Sequence, residues 1–177
     1  MRLPPPDRSL LDADTDEFLA LAAGRTGETP ETIAVLAHSP ALVGPFMGWA
    51  MALHTSGVLS QRLHEIVALR VARNCGSEYE WDEHVSWAHE AGLTDEEIAS
   101  VAAGKDGWPQ PEATVIAAVD ELHAAQDLTD NTMALLRECL GDASVVEIIV
   151  VAGQYTMLSM LATATGPPSR RRPADGA

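Results

Sequence analysis

Most of the polar groups able to do chemistry fall in one stretch, Leu59 to His84: Glu65, Ser77, Tyr79, Glu80, His84 and three arginines, Arg62, Arg70 and Arg73. Glu80 and His84 stand four residues apart, a spacing that puts both on one face of a helix. A carboxylate beside an imidazole raises the pKa of the ring and fixes its tautomer, which suits a general acid or base. Glu65 lies among apolar neighbours, so it must pair with a cation or hold a proton. It is the natural third member of the cluster. The bland alternative is a solvated Glu80–His84 pair on a helix surface, because perturbed pairs are structural as often as functional.

Two helices and a glycine must position these groups. Ser60 stands where an N-cap belongs, and an apolar pattern follows through Leu63, Ile66, Val67, Leu69 and Val71. The pattern wraps most of that helix and predicts burial on nearly all sides. Gly76 ends it. Ser77 caps the second helix, with Glu78 and Glu80 in its first turn. Around this pair the chain reads as further helices. Acids at Asp14, Asp16 and Glu17 open a short helix through about Ala23. Thr29 with Pro30 opens the next, to about His38. Ser39 caps Ala41 to His54, where Pro45 predicts a kink or a late start. Thr94 to Glu97 is a capping box. Pro111 and Thr129 start two more helices. A last one runs from about Gly141 to Thr165. Val145 to Val151 has β propensity, but its length and its surroundings favour helix. Residues 1–13 read as a proline-rich arm, 14–166 as a single all-α domain of about eight to nine helices in an irregular bundle, and 167–177 as a disordered basic tail.

The net charge is −15, which argues against nucleic acid and against an anionic membrane surface. Of eleven Lys and Arg, five lie in the tails, so three arginines on one helix are a concentration. They suggest a grip on a small anionic ligand, or plain pairing with neighbouring carboxylates. The two cysteines, Cys75 and Cys139, have neither disulfide nor zinc spacing. Without a signal peptide pattern, the chain is expected in the cytoplasm. Glu65, Glu80 and His84, with His64 or His89, are donor types that suit iron, manganese or zinc. Their spacing is not a known closed set, and His89 is turned about 140° from His84 on the helix. No metal and no organic cofactor are expected.

Arg62-x-x-Glu65, then Glu78-Tyr79-Glu80-Trp81-x-x-His84, then Ala88-x-x-Ala91-Gly92-Leu93-Thr94-x-Glu96-Glu97-Ile98 resemble the carboxymuconolactone decarboxylase family. Val146 to Met157 is similar to that family's last core helix. The resemblance implies the alkylhydroperoxidase D-like all-α fold, assembly as a homotrimer or homohexamer, and functional groups at Glu65, Ser77, Glu80 and His84. The family's peroxidase branch carries Cys-x-x-Cys-x-x-x-His. Aligned on His84, its cysteines fall on Ser77 and Glu80, which can form neither a disulfide nor a peroxidatic thiolate. The resemblance therefore points to the decarboxylase branch: a cofactor-independent lyase acting on a small organic acid or lactone. His84 would be the proton donor, with Glu80 or Glu65 tuning it. Arg62, Arg70 or Arg73 would grip the substrate, and Tyr79, Trp81 and Ser77 would wall the pocket. A hydroperoxidase-like oxidoreductase and a non-catalytic ligand-binding member of the fold are the alternatives.

Overall fold

The computed structural model describes residues 1–24 and 27–167, and the described residues form nine α-helices and one 3₁₀ turn, Arg8–Leu10. The expected basic tail lies, from residue 168 onward, outside the described residues. Compact packing divides the chain into Met1–Ser56, joined by the end of the last helix from Leu161, and Gly57–Met160.

The first unit holds α1 (Ala13–Ala22), α2 (Glu31–Leu36) and α3 (Pro40–Thr55). Leu19, Ala37 and Val43 form its core, with Phe18, Leu36 and Met47 packed against them. Gly44 lets α3 approach α1, because a Cβ there would stand 2.8 Å from the Phe18 ring. The N-terminal arm is ordered: Arg2 and Leu3 donate their backbone N–H groups to the Thr165 carbonyl at 2.6 and 3.2 Å, and His38 Nε2 contacts the Pro4 carbonyl at 2.8 Å. Asp12 caps α1, accepting from Thr15 N–H at 2.8 Å, and Asp14 and Asp16 lie in its first turn as expected. Two local expectations need correction. Thr29 does not cap α2; its hydroxyl donates to the Leu19 carbonyl at 2.7 Å, and the cap position falls to Pro30. Pro45 does not delay α3, which starts at Pro40 and runs past it.

The second unit is built around α4 (Gln61–Asn74), with α5 (Glu78–Glu90), α6 (Asp95–Ala103) and α7 (Glu112–Ala125) packed on it and α8 (Asp130–Leu140) on α7. The caps read from the sequence are present: Ser60 on Leu63 N–H, Ser77 on Glu80 N–H, Thr129 on Thr132 N–H and the Thr94–Glu97 box. Nine of the fourteen α4 residues are buried, among them Ile66, Val67 and Leu69, which are almost wholly inaccessible. Burial on that scale stabilises by about 1.5–3 kcal/mol per large apolar side chain, so packing rather than propensity holds α4 in place. The long final helix α9 (Asp142–Thr165) is helical through Val145–Val151, against the local β propensity. Its Glu147 carboxylate accepts the backbone N–H groups of Val58 and Leu59 at 2.6 and 3.4 Å, fixing the entry to α4. By length and hydropathy α9 would reach across a bilayer, yet half of its most apolar stretch is buried.

Arg70 ties three of these helices together. Its guanidinium donates to both Asp120 oxygens at 2.6 and 2.9 Å and to the carbonyls of Val101 and Ala102 at 2.9 and 3.0 Å. Those carbonyls lie in the last turn of α6, where α-helical partners run out. Asn74 adds a hydrogen bond to Asp120 at 2.8 Å. Arg70→Ala is expected to lower stability by about 2 kcal/mol, since it strands Asp120 and two carbonyls at once. A shift of the urea midpoint with unchanged slope checks this.

Candidate functional site

The site is assembled from α4, α5 and α9. Glu65 leaves the middle of α4 on the side that α5 covers and is only 2% exposed. His84, two turns into α5, donates Nδ1–H to Glu65 Oε2 at 2.7 Å. Tyr155 comes from the buried face of α9. Its ring meets His84 edge to face at 4.5 Å between centroids, and meets His64 likewise at 5.6 Å. The Tyr155 hydroxyl shares a 2.9 Å hydrogen bond with His64 Nε2. His84 Nε2 makes no hydrogen bond to another described residue.

Electrostatics sets the protonation of this group. Burial by itself pushes the His84 imidazole down. The Glu65 carboxylate, through its charge and its hydrogen bond, and the charges of Glu80 and Glu83 outweigh burial and hold His84 above the ordinary histidine range. Tyr155 moves well above the ordinary phenol value, first through burial and then through the charges of Glu65 and Glu80. It therefore remains a neutral phenol. Glu65 thus favours the charged form of His84, faced by a protonated tyrosine; in that form Nε2 carries a proton it can give up.

The arrangement corrects the sequence-derived site in several places. The carboxylate on His84 Nδ1 belongs to Glu65, nineteen residues away, and not to Glu80 one turn earlier. Glu80 is buried and contributes charge. Arg70 is spent on Asp120 and the end of α6. Arg62 is engaged as well: it pairs with Glu97 and with Glu112, donates to the Gly92 carbonyl at 3.4 Å, and stands over the Trp108 ring at 5.8 Å. Arg73 is exposed in the last turn of α4, eight residues beyond Glu65 or about 12 Å along the axis. The arginine concentration is thus mainly scaffold. The Ser77 hydroxyl caps α5; Tyr79 is buried and Trp81 half-buried on the same helix. His89 faces elsewhere, toward Asp95 and the Leu93 carbonyl. His64, Glu65 and His84 are donor types a transition metal accepts.

Sequence reasoning missed the pairing of His64 with Tyr155. One signal was available: a tyrosine inside a long apolar helix needs a partner for its hydroxyl.

Residues 40–121 match the carboxymuconolactone decarboxylase family. The fold of this chain is the alkylhydroperoxidase D-like fold, as the solved structures show. A peroxidase-related protein from Ralstonia eutropha JMP134, described as an alkylhydroperoxidase AhpD core, superposes with a TM-score of 0.83 at 18% identity, over 96% of this chain and 92% of that one. A peroxidase-related protein from Silicibacter sp. TM1040 gives 0.81 at 16% identity, over 97% and 91%. The debrominase Bmp8, in a cysteine-to-alanine form holding 2,3,4-tribromopyrrole, gives 0.79 at 14% identity, over 97% and 92%. No curated protein matches the sequence. The family and its fold relatives thus include decarboxylases, peroxidase-related proteins and a debrominase. In this chain both cysteines are free; Cys75 Sγ lies 4.0 Å from His123 Nδ1 and Cys139 is exposed on α8.

Proposed function

We propose that this protein is a cofactor-independent general acid–base enzyme, a lyase that decarboxylates a small organic acid or lactone. One observation carries the reading: a buried carboxylate, Glu65, holds His84 by Nδ1, while Nε2 makes no hydrogen bond to another described residue. Loss of carbon dioxide leaves an electron pair that must spread into a conjugated carbonyl or lactone. Carbon must then be protonated. The His84 imidazolium serves both needs, because its charge stabilises the developing enolate and its Nε2–H supplies the proton. Solvent restores that proton afterwards. Glu65 fixes the ring and its tautomer, Glu80 adds to the field that keeps it charged, and the neutral Tyr155 packs against its edge and excludes water. With Arg62 and Arg70 engaged in ion pairs, the imidazolium is itself the cation that meets an anionic substrate.

The test is carbon dioxide release from γ-carboxymuconolactone and related small acids by the purified wild type. Release sustains the reading. A peroxide-dependent oxidation of added thiol that vanishes in Cys75→Ala would replace it with a hydroperoxidase. The pH profile of turnover is a further expectation. Because the acid form of His84 is the active one and its pKa is raised, kcat holds through neutral pH and falls only as pH passes above the ordinary histidine range.

A further inference from the structure

Glu65 fixes one atom of the His84 ring, and one hydrogen bond does not fix a plane. About the 2.7 Å contact at Nδ1 the imidazole can still tilt, and each tilt carries Nε2, on the far side of the ring, to a new place. Tyr155 supplies the missing restraint. Its ring lies at 83° to that of His84 with 4.5 Å between centroids, the edge-to-face geometry that aromatic rings prefer. A tilting imidazole runs into that neighbour.

The phenol ring is itself held. Tyr155 is 6% exposed and His64 3%, so the hydroxyl has exchanged water for its 2.9 Å hydrogen bond with His64 Nε2. These two rings also meet edge to face, at 85° and 5.6 Å. His64 and Glu65 are consecutive residues of α4, in a stretch buried from Leu63 to Leu69. Successive side chains leave a helix about 100° apart. The same rigid stretch therefore reaches His84 by two routes: directly through Glu65, and by way of α9 through His64 and Tyr155. The second route does not deliver charge. The groups that favour the charged form of His84 are Glu65, Glu80 and Glu83, and Tyr155 is a neutral phenol. What the second route delivers is direction.

We infer that His64 and Tyr155 are positioning residues for His84: the hydroxyl anchored on His64 holds the phenol ring against the imidazole and so sets the direction of Nε2. Their part in turnover rests on the acid–base reading above; the restraint on the ring does not. Two measurements on the full chain test this, one of them without turnover. With isotope-labelled histidine, NMR relaxation dispersion at His84 is expected to be flat in the wild type. It is expected to show exchange on the μs–ms scale in Tyr155→Phe, which keeps the ring and drops its anchor. In carbon dioxide release from γ-carboxymuconolactone, Tyr155→Phe is expected to lower kcat by up to about 10²-fold, the loss that misplacing a reacting group brings. KM and the alkaline limb of the pH profile stay unchanged. His64→Gln, whose amide can take up the hydroxyl, is expected to keep most of the rate. His64→Leu should match Tyr155→Phe, and the two together should cost no more than either alone. A purely structural pair would lower the urea midpoint and leave kcat and the dispersion profile as they are, and that result overturns the inference. So does a fall in kcat with a still imidazole, which would make the hydroxyl a substrate contact instead. A wild type that releases no carbon dioxide defeats the lyase reading alone. The dispersion profiles then decide: exchange in Tyr155→Phe sustains the positioning role, and flat profiles in both proteins overturn it.

Discussion

Replacing His84 with asparagine is expected to lower kcat for proton transfer by roughly 10²–10⁴-fold while leaving the protein folded. His84 is the group in the cluster that combines a charge held by burial-resistant partners with an open donor atom. Asparagine keeps a hydrogen bond to Glu65 and much of the shape against Tyr155, but it carries no proton that it can give up. The loss should therefore appear in kcat more than in KM, as for a group acting in the transition state. Circular dichroism and the urea midpoint report whether the helices survive. An unfolded variant would speak only of packing; a folded one that still turns over at the wild-type rate would remove His84 from the mechanism.

The second large effect is expected at Glu65. Removing one partner of a buried ion pair leaves the other uncompensated, at a cost of roughly 3–5 kcal/mol. In Glu65→Gln the imidazole has an escape, because it can shed its proton, so the full cost appears only where His84 must stay charged. The pH dependence follows from the direction of the shift. His84 is raised in the folded state, so its pairing stabilises the wild type fully below the ordinary histidine pKa, and that stabilisation is lost as pH rises through the raised value. Urea melts of wild type and Glu65→Gln should differ most on the acid side and converge on the alkaline side. Turnover should move in parallel. With the Glu65 charge gone, burial dominates the His84 equilibrium, and the alkaline limb of kcat should shift to lower pH. An unchanged limb would mean that Glu65 does not tune His84.

How far the sequence revealed this site depended on the range of each interaction. The α4–Gly76–α5 unit was legible because its signals are local: Ser60, Ser77 and the Thr94–Glu97 box each act within three residues of themselves. The burial of Glu65 was legible too, because its apolar neighbours follow the helix period. The partner of His84 was legible only as one of two, Glu80 or Glu65. Period gives the face a residue occupies but not which side chain of the packed helix reaches it first, and Glu65 occupies Nδ1 ahead of the sequence neighbour Glu80. The arginines failed for the same reason. Their concentration on α4 was visible, while their partners Glu97, Glu112 and Asp120 lie 35 to 50 residues away. His64 and Tyr155, 91 residues apart, meet only once α9 is in place.

The Glu65–His84 pair has a further consequence for the order of events in a catalytic cycle. Before reaction, carboxylate and imidazolium together are neutral. Once Nε2 has given its proton to carbon, the pair holds one uncompensated negative charge, next to the further carboxylates of Glu80 and Glu83. Any product that keeps an acid group then shares a desolvated space with charges of its own sign. The step that completes the chemistry thus also weakens the hold on the product. Departure of the product and reprotonation of His84 from solvent become linked, so that product inhibition should be weaker than the affinity for the substrate would suggest.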